Sequence, residues 1–221
     1  EGFNASNILV GSEETLSLFN KIKLKLSEIP KKKMLGVCYF EKFHEAMTLT
    51  KEMVKLKPTT IELMDKNLLD LAKEIPIYAD GIKKYVIGDP KAVLMVEFID
   101  NDLNLINKKI KELESLIKSQ NKNNNFSYYK ETKDQKEIFE IRKAGLNILM
   151  SMKGDKKPVA FIEDCAVTLN HLAEYTAKLK EIFKKYDTSG MFYAHASVGT
   201  LHVRPVLNMK SDKDISNMKK I

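Results

Sequence analysis

Met191-Phe192-Tyr193-Ala194-His195-Ala196-Ser197-Val198-Gly199-Thr200-Leu201-His202-Val203-Arg204-Pro205-Val206 reads as two strands, Met191 to Ser197 and Thr200 to Val206, folded back about Gly199. Side chains in a strand alternate between faces. A bend centred on Val198-Gly199 therefore sets His195 directly opposite His202 on one face, with Cβ atoms about 4.5–5.5 Å apart. Arg204, two residues beyond His202, shares that face. Two imidazoles so spaced can converge on one divalent ion, and the guanidinium fork beside them suits a carboxylate. The same pair without a metal is a packed or solvated cross-strand contact. Val-Gly is not a favoured two-residue turn, so a longer loop would move the register. Two histidines also fall one ligand short of an ordinary catalytic site; Glu163 and Asp164 are candidates for the third.

Outward from this hairpin, strand and helix patterns alternate. Met34 to Phe40, Thr59 to Met64, Ala92 to Ile99, Phe126 to Lys130 and Pro158 to Val167 read as strands. Helices are expected over Glu41 to Lys57, from an Asp65 cap through Ala72, along the stripe Leu103, Ile106, Ile110, Leu113, Ile117, over Thr132 to Met150, and over Leu169 to Lys185. Ser119 to Asn125 is an Asn-rich loop, expected to be the most mobile part of the chain. The class is α+β: one mainly antiparallel sheet covered by helices on one face. Ile22, Leu24 and Leu26 alternate with lysines as in a half-buried strand. Residues 1–30 are too short to fold alone and read as the tail of a neighbouring domain, with 31–221 the main unit. Because the first residue is Glu1, the chain is expected to begin inside a longer protein.

At 43% hydrophobic and 30% charged residues the chain is too apolar for disorder. No run approaches the roughly 20 apolar residues of a membrane helix, so no membrane span is expected. Cytoplasm is the expected location, or a peripheral place at the inner membrane. The net charge of +7 is nearly all lysine, mixed with Glu and Asp along helices, the pattern of solvated faces rather than of a nucleic-acid surface. Cys38 and Cys165 read as buried thiols, and His44 and His171 as surface residues. Arginine occurs only at 142 and 204; in a Lys-rich chain these can mark places that need a planar fork.

With those residues in view, Ala194 to His202 resembles the His-x-Gly-Asp-Gly-Asn-Leu-His motif of FAD-linked oxidases, the family of D-lactate, D-2-hydroxyglutarate and glycolate dehydrogenases. Gly11-Ser12-Glu13-Glu14-Thr15-Leu16-Ser17 is similar to its Gly-Ser-Glu-Gly-Thr-Leu-Gly run, and Glu62-Leu63-Met64-Asp65 and Ile162 to Val167 to pieces of its cap domain. The resemblance implies a ferredoxin-like-related cap domain carrying the tail of a FAD-binding domain. It implies hydride transfer from a small D-2-hydroxy acid to FAD, with a divalent metal, zinc or manganese, on His195 and His202. Arg142 and Arg204 become substrate-binding candidates, His202 the catalytic candidate, and Gly11, Ser12, Glu13 and Thr15 the FAD-binding candidates. Large members of the family also carry iron–sulfur clusters elsewhere; the electron acceptor stays open.

The chain departs from the pattern at several points. Glu14 and Ser17 replace glycines, Ser197-Val198 replaces Gly-Asp, Thr200 replaces Asn, and Ile162 stands where some members bind substrate through lysine. The family's Glu-His-Gly metal ligand does not occur in these 221 residues and most of the flavin domain is expected to lie outside them, so this chain alone is expected not to hold FAD and to bind metal weakly or not at all. Two other readings of the histidine pair and the basic charge were a nucleic-acid-binding α+β domain and a stand-alone metal-dependent hydrolase.

Overall fold

The computed structural model describes residues 2–26, 29–120 and 125–221. After a short helix, α1 (Ser6–Leu9), the order is β1 (Lys32–Phe40), α2 (Phe43–Val54), β2 (Thr60–Asp65), α3 (Lys66–Glu74), α4 (Pro76–Tyr85), β3 (Ala92–Asp100), α5 (Leu103–Gln120) and β4 (Asn125–Tyr129). Then come α6 (Thr132–Lys143), α7 (Gly145–Met150), β5 (Lys157–Pro158), β6 (Cys165–Ala166), α8 (Leu172–Lys185), β7 (Gly190–His195), β8 (Thr200–Leu207) and α9 (Asp212–Lys220). The strands form one sheet in the order β4-β1-β3-β2-β7-β8-β5, with β6 beside β8. Every described pairing is antiparallel. Within it, β4-β1-β3-β2 with α2 and α5 as crossovers is the split βαβ, ferredoxin-like arrangement. The hairpin β7-β8 extends it along the free edge of β2.

Alternation splits the core in two. Cys38, Ile61, Leu63, Leu94, Phe192, Ala194, Leu201 and Val203 point to a face closed by α2, α5 and α8. Residues of opposite parity, including Val37, Met64, Met95 and Met191, meet α3, α4, α6 and α7. The α5 stripe buries Ile106, Ile110, Leu113 and Ile117 as its spacing predicts. Cys38 is fully buried, and burial raises its thiol pKa, whereas Cys165 is half-buried rather than buried. His44 and His171 lie at the surface.

Several expectations need correction. The helix predicted over Thr132 to Met150 breaks at Ala144 (φ −72°, ψ 0°) into α6 and α7, where Gly145 weakens the helix and lies close under Leu68. The strand predicted over Pro158 to Val167 survives only at its two ends. Pro158 pairs with Val206 and Cys165 with Leu201, so seven steps of chain face five on β8. The surplus must leave the ladder, beside Pro205, which has no N–H to offer. Ile22, Leu24 and Leu26 form no strand and are exposed at 65%, 74% and 86%. Of the loop placed at Ser119 to Asn125, the first two residues close α5 and the last opens β4; 121–124 lie outside the described residues. Among the described residues no helix is long and apolar enough to cross a membrane.

Asp65 ties the two halves of the sheet together. Its Oδ1 caps α3 by accepting from Leu68 N (2.9 Å), and its Oδ2 accepts from Phe192 N on β7 (2.9 Å). Burial pushes this carboxyl from 3.8 up to about 6, against the pull of both N–H groups and Lys180. Asp65→Ala strands two buried donors and should cost about 2–3 kcal/mol in urea unfolding. Because the folded-state pKa is raised, Asp65's titration contributes stability that is full below 3.8 and fades as pH rises through about 6. The gap between wild type and variant should therefore be wider at acid than at neutral pH.

Candidate functional site

Period-2 alternation gathers the polar side chains of three adjacent strands onto one face. Glu62 on β2 pairs in register with His195 on β7, and Tyr193 with His202 on β8. Arg204 follows on β8, while Arg142 projects from α6. That helix is fixed along its axis by the buried Gln135, whose Nε2 lies within hydrogen-bond distance of the carbonyls of Lys33, Tyr129 and Lys130 (2.9–3.2 Å). Arg142 comes two turns later on the same side.

His195 and His202 are not directly opposed, as a two-residue bend requires. Ala196–Val198 makes a 3-10 turn closed by Gly199 in the left-handed region (φ +70°), and His195 pairs instead with Thr200. The register is shifted by two, which preserves the face. The rings still meet edge to face, centroids 5.3 Å apart. Tyr193 stacks on His202 at 4.5 Å, and the Arg142 guanidinium lies 5.0 Å from the Tyr193 ring centre.

Each cation and each imidazole has a carboxylate. Arg142 Nη2 is 2.8 Å from Glu62 Oε2, and both side chains are nearly buried. The contact is an ion pair, not an aligned hydrogen bond, and Nε and Nη2 of Arg142 have no hydrogen-bond partner. Arg204 is held at two points: its Nε and Nη2 meet both oxygens of Glu163 at 2.9 and 2.5 Å. His195 Nδ1 lies 3.0 Å from Glu62 and His202 Nδ1 lies 2.8 Å from Asp164. Asp164 reaches it from a left-handed backbone position (φ 59°) in the surplus loop between β5 and β6.

Burial pushes the pKa of His202 below its ordinary 6.5. Asp164 and Glu163 oppose the shift, and His195 and Arg142 add to it. Arg142 is likewise lowered by burial, with Glu62 and Tyr193 acting against the shift. Glu163 and Asp164, candidates for a third metal ligand, are corrected: they serve Arg204 and the Nδ1 side of His202. Among the described residues no group of three His, Cys, Asp or Glu side chains is placed to hold a metal. The two imidazoles nonetheless fit two ligand positions, since a carboxylate on Nδ1 leaves Nε2 for an ion and sets the ring's orientation.

Gly11, Ser12, Glu13 and Thr15 lie elsewhere, in a turn after α1, and make no hydrogen bond or ion pair to this face. Gly11 has φ +81°, and Glu13 and Glu14 are also left-handed at 44° and 66°. Glu14, in place of a family glycine, thus keeps a backbone conformation that glycine adopts without strain. Glu62 and Tyr193 were not singled out from sequence. Tyr193 was reachable by alternation from His195; Glu62 stood in the Glu62-Leu63-Met64-Asp65 run that resembles the family's cap domain, with no role assigned to it.

Residues 29–221 match the family described as FAD linked oxidases, C-terminal domain. The chain belongs to that family. It is 28% identical over 99% of its length to D-2-hydroxyglutarate dehydrogenase of Escherichia coli, of which it spans 22%. It is 26% identical over 96% of its length to a mitochondrial D-lactate dehydrogenase [cytochrome] of Arabidopsis thaliana, spanning 36% of that protein. In fold it is similar to an alkyldihydroxyacetonephosphate synthase, with TM-score 0.66 at 15% identity, over 93% of this chain and 42% of the other. The chain therefore spans about a fifth to a third of these curated relatives.

A Cβ at Gly199 would sit 1.9 Å from Val167 O on a backbone L residues rarely adopt. Gly199→Ala should lose at least about 2 kcal/mol in urea unfolding and perturb the His195 and His202 ring signals in NMR spectra.

Proposed function

We propose that this chain is the substrate-side domain of a flavin-dependent dehydrogenase that oxidises a small D-2-hydroxy acid. On this reading residues 1–30 are the tail of the FAD-binding domain and 31–221 the cap. The exposed apolar side chains of Leu18, Ile22, Leu24 and Leu26 support that division, as side chains that would be covered by a neighbouring domain. The observation that carries the proposal is Arg142, a buried guanidinium that pairs with Glu62 through Nη2 and has no hydrogen-bond partner at Nε, on the face that holds both histidines.

Arg142 receives the substrate carboxylate through its free N–H groups. Arg204 lines the same face, with Nε and Nη2 held by Glu163. His202, whose pKa burial lowers, and His195 each hold Nδ1 against a carboxylate and turn Nε2 toward the place of the substrate hydroxyl. These two imidazoles would hold the divalent ion, zinc or manganese, whose role when bound is to polarise and orient that hydroxyl. FAD, when bound, supplies the acceptor for hydride from the hydroxyl-bearing carbon. The turn at Gly11, Ser12, Glu13 and Thr15 would contribute backbone contacts to it.

In the flavin-loaded holoenzyme, D-2-hydroxy acids should reduce a dye and their L enantiomers should not. Arg142→Met should raise KM about 100-fold, the scale of losing a buried charge-assisted pair. Unchanged KM in that variant would remove the basis of the proposal.

A further inference from the structure

We propose that Glu62 is the positioning residue of this site, one carboxylate that sets the orientation of His195 and anchors Arg142. The inference rests on the functional reading above and assigns a part to a residue outside the histidine motif.

Glu62 stands directly opposite His195 in the β2–β7 register, and its side chain is 12% exposed. Both oxygens lie within reach of His195 Nδ1, at 3.0 and 3.1 Å. An ionised carboxylate only accepts, so in the neutral ring Nδ1 must carry the proton and Nε2 the lone pair. Oε2 also faces Arg142 Nη2 at 2.8 Å. A buried guanidinium without a counter-charge is strongly disfavoured, so a carboxylate has to stand near Arg142.

The two arginines differ in how that is done. Arg204 gives Nε and Nη2 to Glu163 in a two-point pair. Arg142 meets Glu62 through a single misaligned contact and keeps Nε and Nη2 without hydrogen bonds. Glu62 shares its oxygens between a histidine and an arginine, and Arg142 does not make the two-point pair that Arg204 makes.

The test begins with wild-type protein labelled with 15N in histidine, in which long-range 1H–15N NMR should read His195 as the Nδ1–H tautomer. An Nε2–H ring would overturn the proposal without any variant. In the holoenzyme, Glu62→Gln should lower kcat 10–100-fold, roughly the effect of removing an outer partner of a ligating histidine, and should raise KM. Glu62→Asp should restore part of both. Arg142→Met should cost less in the Glu62→Gln background than in wild type, because the two residues act together. Loss of stability with tautomer, kcat and KM unchanged would mean Glu62 is structural only. If wild-type holoenzyme oxidises no 2-hydroxy acid, the functional reading fails, and the tautomer of His195 still decides the role of Glu62.

Discussion

The seam between β2 and β7 carries the architecture of this domain. On one side of it, β4-β1-β3-β2 carries its two crossover helices on one face and α3, α4, α6 and α7 on the other; on the other side, β7-β8 is a hairpin that alone would be marginal in water. Three register pairs join them, and Asp65 reinforces the join from within by bonding the first turn of α3 and the backbone of β7 at once. Both oxygens are used and both donors are buried, so the carboxylate is hard to replace. The arrangement also places Glu62, three residues earlier on β2, across from the histidine at the far end of β7. The seam that holds the domain together is the seam along which the site is built.

Such a concentration of charge is poor material for stability. Two arginines, two histidines and three carboxylates share a partly buried face, and desolvation of each ion costs about as much as its pairing returns. Apolar residues of similar volume would hold the sheet at least as well. The partial satisfaction of Arg142 is more telling still, since an unpaired buried donor lowers stability by about 1–3 kcal/mol. The depressed pKa of His202 follows first from burial, which outweighs the opposing pull of Asp164 and Glu163.

Much of this was legible because alternation is robust. The register of the hairpin came out two residues away from the simplest bend, yet His195, His202 and Arg204 kept their common face, since only an odd shift exchanges faces. Helix stripes and the Asp65 cap were legible for a similar reason, being set by local spacing. What failed depended on distant partners. The segment from Pro158 to Val167 reads as a strand from composition, but β8 offers it fewer positions than it has residues, and Pro205 interrupts the ladder. Ile22, Leu24 and Leu26 alternate as a strand does but meet no partner strand in the described residues. Glu62 was invisible as a site residue because its significance lies wholly in what stands opposite, and α6 gave no sign that Arg142 is turned inward.

The scarcity of arginine gains a physical meaning from the structure. Positive charge in this chain is supplied almost entirely by lysine, and those lysines with partners mostly form exposed pairs such as Lys118 with Glu114 or Lys178 with Glu174, where a point charge suffices. The two arginines stand where it does not. At 204 the planar fork matches both oxygens of Glu163, which a single ammonium cannot do. At 142 one guanidinium lies near the Tyr193 ring, pairs with Glu62 through one edge and keeps other N–H groups free. A lysine there could pair with Glu62 but would have no planar group to lay near the Tyr193 ring. Geometry, more than charge, keeps arginine at both positions.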